Sequence, residues 1–194
     1  MMGRRKGLHF YQKKKKINRN VLREVAIYLF CILAAVFAAW VLVFCFGIRT
    51  SVIGDSMEPT LTNGQEILIN RFTYTFSAPK RGDVVVFLPN GNTNAHYYVK
   101  RVVGLPGETI QIRNGRIYID GVQYENDSYD KIADPGIAEN PIVLGKDEYF
   151  VIGDNVNSSE DSRSANIGPV HEEDIFGRAW FHMKGDHEDM GFIK

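Results

Sequence analysis

Cysteine is almost missing from this chain of 194 residues: Cys31 and Cys45 are the only two, and both lie inside one apolar run. From Gly47 onward there is none, which excludes disulfides, thiol catalysis and cysteine-based zinc sites from that part. Lipidation of Cys45 finds little support, because Leu42-Val43-Phe44 before it lacks the small residues of a lipoprotein cleavage site. Both cysteines read as small buried hydrophobes. Acidic residues are missing at the start: none precedes Glu24, whereas nine of the 23 Lys and Arg do. The balance then reverses. From Gly47 there are 14 Lys and Arg against 22 Asp and Glu, a formal charge of −8 that argues against a nucleic-acid-binding surface. Internal repeats and a second long apolar run are also lacking.

The one long apolar run, Val25 to Phe46, holds 22 uncharged residues. As a helix it spans about 33 Å, enough for a hydrocarbon core of about 30 Å. The basic cluster before it (Arg4, Arg5, Lys6, Lys13 to Lys16, Arg19, Arg23) is expected to stay cytoplasmic under the positive-inside rule, which sends everything after Gly47 outside. A cleaved leader is the competing reading. Its apolar core is ordinarily about 7 to 15 residues followed by small residues, whereas here Trp40-Val-Leu-Val-Phe-Cys-Phe follows the alanines. The expected organisation is a basic cytoplasmic segment (1–24), a transmembrane helix (25–46), an exported domain (47–184) and a polar, mobile tail (185–194).

The exported part is expected to be mainly β and antiparallel, because short apolar or alternating runs recur between Gly, Pro, Asn and Asp. Candidate strands are Glu66 to Asn70, Asp83 to Leu88, Tyr97 to Val103, Thr109 to Arg113, Arg116 to Asp120, Glu148 to Ile152 and Ile175 to Met183. Asn114-Gly115 suits the two positive φ angles of a type I′ turn, so it predicts a hairpin that pairs Ile112 with Ile117 and Ile110 with Ile119. A second turn is expected at Asp120-Gly121, and an excursion or surface loop over 126–140.

The segment Gly54-Asp55-Ser56-Met57-Glu58-Pro59-Thr60-Leu61 follows the apolar run by only a few residues, so chemistry at Ser56 would lie within about 35 Å of the membrane by chain reach. A serine attacks a carbonyl only when a base takes its proton. His9 lies in the cytoplasmic segment and His187 in the tail. His96, His171 and His182 come with no accompanying Asp pattern, which leaves a Ser-His-Asp triad unsupported. Lys100 lies in the apolar stretch Tyr97 to Val103, where burial would lower its pKa by the roughly 3 units that a base at neutral pH requires. The competing reading makes Lys100 and Arg101 surface cations at a strand edge. A calcium loop at 153–163 is disfavoured by Val156 at a ligand position. Arg81-Gly82-Asp83 reads as the start of a strand, and the two Asn-X-Ser patterns, at Asn126 and Asn157, read as chance.

Taken in order, the block at Gly54 to Leu61, then Arg81-Gly82-Asp83-Val84-Val85-Val86-Phe87, then Tyr98-Val99-Lys100-Arg101 through Glu108, then Gly153-Asp154-Asn155 with Ser159-Glu160-Asp161-Ser162-Arg163, resemble the sequence blocks of type I bacterial signal peptidases. The resemblance runs from the apolar segment to about Arg178. It implies a β-rich catalytic domain behind one anchor, with Ser56 as nucleophile and Lys100 as general base. It also implies that Ser159 orients the lysine, and that Asp161, Arg163 and Asp154 brace the site. The Ser56 amide would serve the oxyanion hole. Gly54 stands where some members supply a serine hydroxyl to that hole, so the second donor would be backbone or water. Val156-Asn157 stands where many members have Arg-Asp, which implies weaker local bracing. Val52, Ile53, Met57, Leu61, Tyr98 and Val99 match the walls of shallow apolar pockets, and residues 51–53 would pair with an extended substrate by strand addition.

The implied activity is removal of signal peptides from exported preproteins after an Ala-X-Ala pattern, at the outer face of a bacterial cell membrane, without a metal or organic cofactor. Exported preproteins and the lipid bilayer are the implied partners, with the secretion translocon nearby. Phe72, Tyr74 and Phe76 would rest on lipid or in the core. Two alternatives are weighed: a catalytically silent tethered binding protein with the same fold, and a self-cleaving repressor-like Ser-Lys protease. The apolar run and the acidic exported part disfavour the second. Loss of Ser56 or Lys100 would have signalled the first, and both are present.

Overall fold

The computed structural model describes residues 19–92, 95–125, 129–183, 185 and 190–193 of the chain. It divides into two compact units, Met1–Val41 and Leu42–Lys194. The basic cluster up to Lys16 lies outside the described residues, as does the Asn126-Asp127-Ser128 pattern.

Among the described residues helix α1 runs from Arg19 to Phe46 and includes the six residues before the apolar run, Arg19 to Glu24, in which nothing breaks a helix. Within its stretch Arg19–Phe44 the most apolar 18 residues have a mean hydropathy of 2.7, and none of them is buried. By length and composition it suffices to cross a membrane, and it is the one such helix among the described residues. Phe37 and Trp40, three residues apart, stack with ring centroids 6.1 Å apart.

The second unit is mainly β. Its strands are β1 (Ile48–Ser51), β2 (Glu66–Asn70), β3 (Val84–Phe87), β4 (Tyr98–Gly104), β5 (Thr109–Arg113), β6 (Arg116–Ile119), β7 (Val122–Gln123), β8 (Ile142–Val143), β9 (Glu148–Ile152), β10 (Val170–His171), β11 (Ile175–His182) and β12 (Gly191–Phe192). A short helix α2 covers Thr73–Phe76. The larger sheet has the order β1-β2-β11-β3-β4-β9-β10, with β12 also paired to β11; the smaller has the order β7-β6-β5-β8. Every pairing is antiparallel.

Central strands of the larger sheet are covered on both faces, which is why they read as apolar runs rather than alternations. In β3, Val84 and Val86 enter one cluster with Val52, Met57, Leu61, Ile67, Ile69 and Val99. Val85 and Phe87, pointing the other way, enter a second cluster with Val102, Tyr149 and Val151. In β9, Phe150 and Ile152 turn to a third cluster shared with the hairpin isoleucines. That hairpin has the expected register, Ile112 with Ile117 and Ile110 with Ile119. Asn114 and Gly115 adopt φ of 52° and 75°, as a type I′ turn demands.

Two segments pack more closely than their polarity suggests. The tail from 185 is not polar to its end: Gly191 and Phe192 pair with His182 and Phe181, and Ile193 is buried. The apolar Phe192 and Ile193 pay for this return, Phe192 by packing edge-on against Phe181 at 5.5 Å. The excursion 126–140 likewise sends Tyr129, Ile132 and Ala138 into the third cluster. The aromatic trio divides. Phe72 and Phe76 are exposed and meet edge to face at 4.8 Å, while Tyr74 turns inward to donate to Asp83.

Candidate active site

Ser56 sits in a turn that the core fixes from behind. After β1, Val52 N–H donates to the Gln65 carbonyl, and Gly64 N–H donates to the Val52 carbonyl. Gly54 takes φ of 82°, where only glycine is unstrained, and its N–H donates to Asn63 Oδ1 at 3.0 Å. Met57 and Leu61 are fully buried and linked by Leu61 N–H to the Met57 carbonyl. These two side chains therefore form core rather than pocket wall. Their burial turns the neighbouring Ser56 to the other side.

That other side faces Lys100. Strand β4 places Lys100 opposite Val85, and its Nζ lies 2.6 Å from Ser56 Oγ. The side chain is 4% exposed. Burial lowers its pKa from 10.5 to about 8, against the raising charges of Asp161, Glu160 and Asp154 and with the smaller lowering charge of Arg163. Tyr98, two residues earlier on the same face, holds its ring centroid 5.6 Å from Nζ. At a pKa near 8 about one molecule in ten is neutral at pH 7, a gain of more than a hundredfold over an ordinary lysine.

The loop 153–163 closes the site. Asn155 N–H donates to the Ser56 carbonyl at 3.0 Å, and Asn155 Nδ2 donates to the Asp55 carbonyl at 3.2 Å. Gly153 is needed for closeness: a Cβ there would come within 2.3 Å of Ser159 Oγ and 2.4 Å of the Ser56 carbonyl oxygen. Asp161 is wholly buried, and its carboxylate accepts from Gly153 N–H and from Arg163 Nε and Nη2. Arg163 also donates to the carbonyls of Val156, Ser159 and Asp134, so one buried cation ties two turns of the loop to each other and to the segment around Asp134. Asp154 accepts from Arg101 Nε and Nη2 at 2.7 and 2.6 Å.

Ser159 stands beside this network without joining it. Its Oγ is buried and makes no hydrogen bond among the described residues, to Lys100 or otherwise. The Val156-Asn157 departure costs less bracing than its sequence implies. Val156 is buried in the third core cluster, while Asn157 accepts from Ala133 N–H and donates to the Lys131 carbonyl. Arg81 and Asp83 have structural duties, Arg81 pairing with Glu108 and Asp83 with Arg178.

Beside Ser56 and Lys100 opens a cavity of about 460 Å³. Val52, Ile53, Gly54, Asp55, Tyr98 and Val99 line it. Ala95, His96, Tyr97, Ser158 and Glu160 also line it, and none of them was singled out by the sequence as a wall of the cavity, because they are loop and strand-end residues. Ile53 is 64% exposed beside the cavity. The Ser56 N–H donates to no described residue, so it is free to serve an incoming oxyanion, whereas the Gly54 N–H is occupied by Asn63. No group of three or more His, Cys, Asp or Glu that could hold a metal ion occurs among the described residues. His171 lies 3.8 Å from Glu148 and His182 shares a hydrogen bond with Gln65, each engaged away from Ser56.

A buried amine in contact with a serine hydroxyl, next to an apolar cavity and an unengaged amide, can carry nucleophilic acyl transfer. The family model for signal peptidase, peptidase S26, matches residues 22–184. Signal peptidase I P of Bacillus subtilis subsp. natto is 33% identical over 181 residues, 86% of this chain and 91% of its own length. Signal peptidase I of Leptolyngbya laminosa is 36% identical over 150 residues, 71% of each chain. A crystal structure of a signal peptidase I from Enterococcus faecalis V583 covers 53% of this chain and 97% of its own, with 29% identity and a TM-score of 0.42.

Proposed function

The chain belongs to the signal peptidase family, peptidase S26, and we propose that it is a membrane-anchored serine endopeptidase that removes signal peptides from exported preproteins with Ser56 as nucleophile and Lys100 as general base. The observation that carries this reading is the 2.6 Å contact between Lys100 Nζ and Ser56 Oγ, made by a lysine that burial has brought to a pKa of about 8.

In the neutral state Lys100 takes the Ser56 proton as Oγ attacks the scissile carbonyl. The resulting ammonium gives that proton to the leaving amine, and the neutral amine then activates a water against the acyl-enzyme. The Ser56 N–H stabilises the oxyanion; the second donor is another backbone N–H or water, because the Gly54 N–H is held by Asn63. An extended substrate lies along residues 51–53, with small side chains toward Val52, Tyr98 and Val99. Helix α1 anchors the chain in the bacterial cell membrane, its basic N-terminal segment inside and the cavity outside, where preproteins emerge from the translocon. No cofactor enters the scheme.

The test is cleavage of a preprotein with an Ala-X-Ala site by the full chain in detergent or liposomes. Ser56→Ala and Lys100→Ala are each expected to lower kcat by about 10⁴-fold or more while the fold survives. For the wild type, kcat/KM should rise with pH through an apparent pKa near 8, since only the neutral lysine is competent. Activity surviving Lys100→Ala would remove the proposed base and turn attention to His96.

A further inference from the structure

Charges around Ser56 fall into two sets. Asp154 and Asp161 are buried and neutralised by Arg101 and Arg163. Asp55 and Glu160, in contrast, line the cavity itself, are exposed, and make no ion pair among the described residues. In the state that reacts Lys100 is neutral, so with neutral histidine the lining carries two uncompensated negative charges. Glu160 is the better placed of the two. Its Oε2 accepts from Tyr98 Oη at 3.3 Å, which fixes the carboxylate against a ring that itself faces Lys100 Nζ. A carboxylate held there still has lone pairs to offer, because one phenol donor does not fill them.

Resting on the signal peptidase reading above, we propose that Glu160 is a specificity-determining residue that favours substrates with a cationic side chain close to the scissile bond and disfavours anionic ones. The apolar walls select size; Glu160 adds a selection by charge. Ionic attraction at an exposed carboxylate is modest and screened, so discrimination of about three- to fivefold is expected at low salt, falling as salt is added. Asp55 adds to the same field, but its backbone carbonyl is held by Asn155, and no described residue holds its side chain over the cavity as Tyr98 holds Glu160.

The experiment uses one preprotein family in which single positions from three before the cut to two after it carry Lys, Gln or Glu in turn. The full chain in detergent is compared with Glu160→Gln, Glu160→Lys and Tyr98→Phe. At one position at least, the ratio of kcat/KM for Lys over Glu should exceed unity in the wild type, collapse toward unity in Glu160→Gln and invert in Glu160→Lys. Tyr98→Phe should weaken the preference without removing it, because it releases the carboxylate from the phenol and leaves the charge. Affinity of the Ser56→Ala protein for the same peptides, against the Ser56→Ala, Glu160→Gln double variant, reads the preference without turnover. A chain that cleaves nothing would thus count against the peptidase reading, and these affinities would still judge Glu160. Ratios that are unchanged by Glu160→Gln at every position, in both cleavage and binding, overturn the proposal.

Discussion

Lys100 and Arg101 are neighbours on β4, both cationic and both largely buried, yet the two faces of the strand treat them oppositely. The alternation of side chains sends Lys100 to Ser56 and Arg101 to Asp154. On the Arg101 side burial also opposes the charge, but the hydrogen bonds and charge of Asp154 outweigh it and hold the guanidinium above its ordinary pKa. On the Lys100 side burial wins and the pKa falls to about 8. Burial alone therefore does not lower a cation's pKa. What decides is that the lysine's hydrogen-bond partner is a neutral hydroxyl, while the nearest carboxylates are either spent on arginines, as Asp161 and Asp154 are, or exposed, as Glu160 is.

Removing the paired side of this contrast should cost most. Arg101→Met leaves Asp154 buried without its cation, and Arg101 also donates to the Gly82 carbonyl, so a loss of about 3–5 kcal/mol is expected in chemical denaturation of the folded chain. An Arg101→Met, Asp154→Leu double variant should recover much of it. If the double variant is no better than the single one, the pair is not what balances that face.

Lys100→Met should act in the other direction. A lysine whose folded pKa lies below its unfolded one binds fewer protons folded than unfolded between about pH 8 and 10.5, so its native state is penalised below that window and relieved as pH rises through it. The shift corresponds to about 3 kcal/mol at pH 7. Lys100→Met is thus expected to stabilise the protein by up to ~3 kcal/mol at pH 7 and far less at pH 10.5, while abolishing cleavage. Equal stability effects at both pH values would show that the lysine is not buried as a charge.

Much of this was legible in the sequence because it is local. Strands β2, β5 and β9 begin and end where their patterns do, and the Asn114-Gly115 turn carries its own register. What escaped depends on contacts distant in the chain. β1 and β12 are too short to show a period, and exist because β2 and β11 offer them edges. Met57 and Leu61 look like cavity walls in a list of apolar residues near Ser56, but a turn has two sides, and the core under β3 claimed them. The pairing of Arg101 with Asp154 joins positions 53 residues apart, and no local pattern announces it. The family resemblance supplied Ser159 with a role, although the hydroxyl lies unbonded.

That hydroxyl gives the smallest and most discriminating test of the contrast. A buried oxygen without a partner costs about 1–3 kcal/mol, so Ser159→Ala should raise stability by about 1 kcal/mol if nothing else changes. The same hydroxyl sits against Gly153 beside the Ser56 carbonyl. Once Ser56 is acylated its Oγ is an ester oxygen and a poor partner for the Lys100 amine, which then needs another buried group to hold its lone pair toward water. Ser159 would act there as a positioning residue, and its loss should lower kcat by about tenfold with KM little changed. The two readouts have opposite signs, more stable and slower. A gain in stability with kcat intact would mean that Lys100 keeps its direction through burial alone, and that Ser159 is packing rather than a guide.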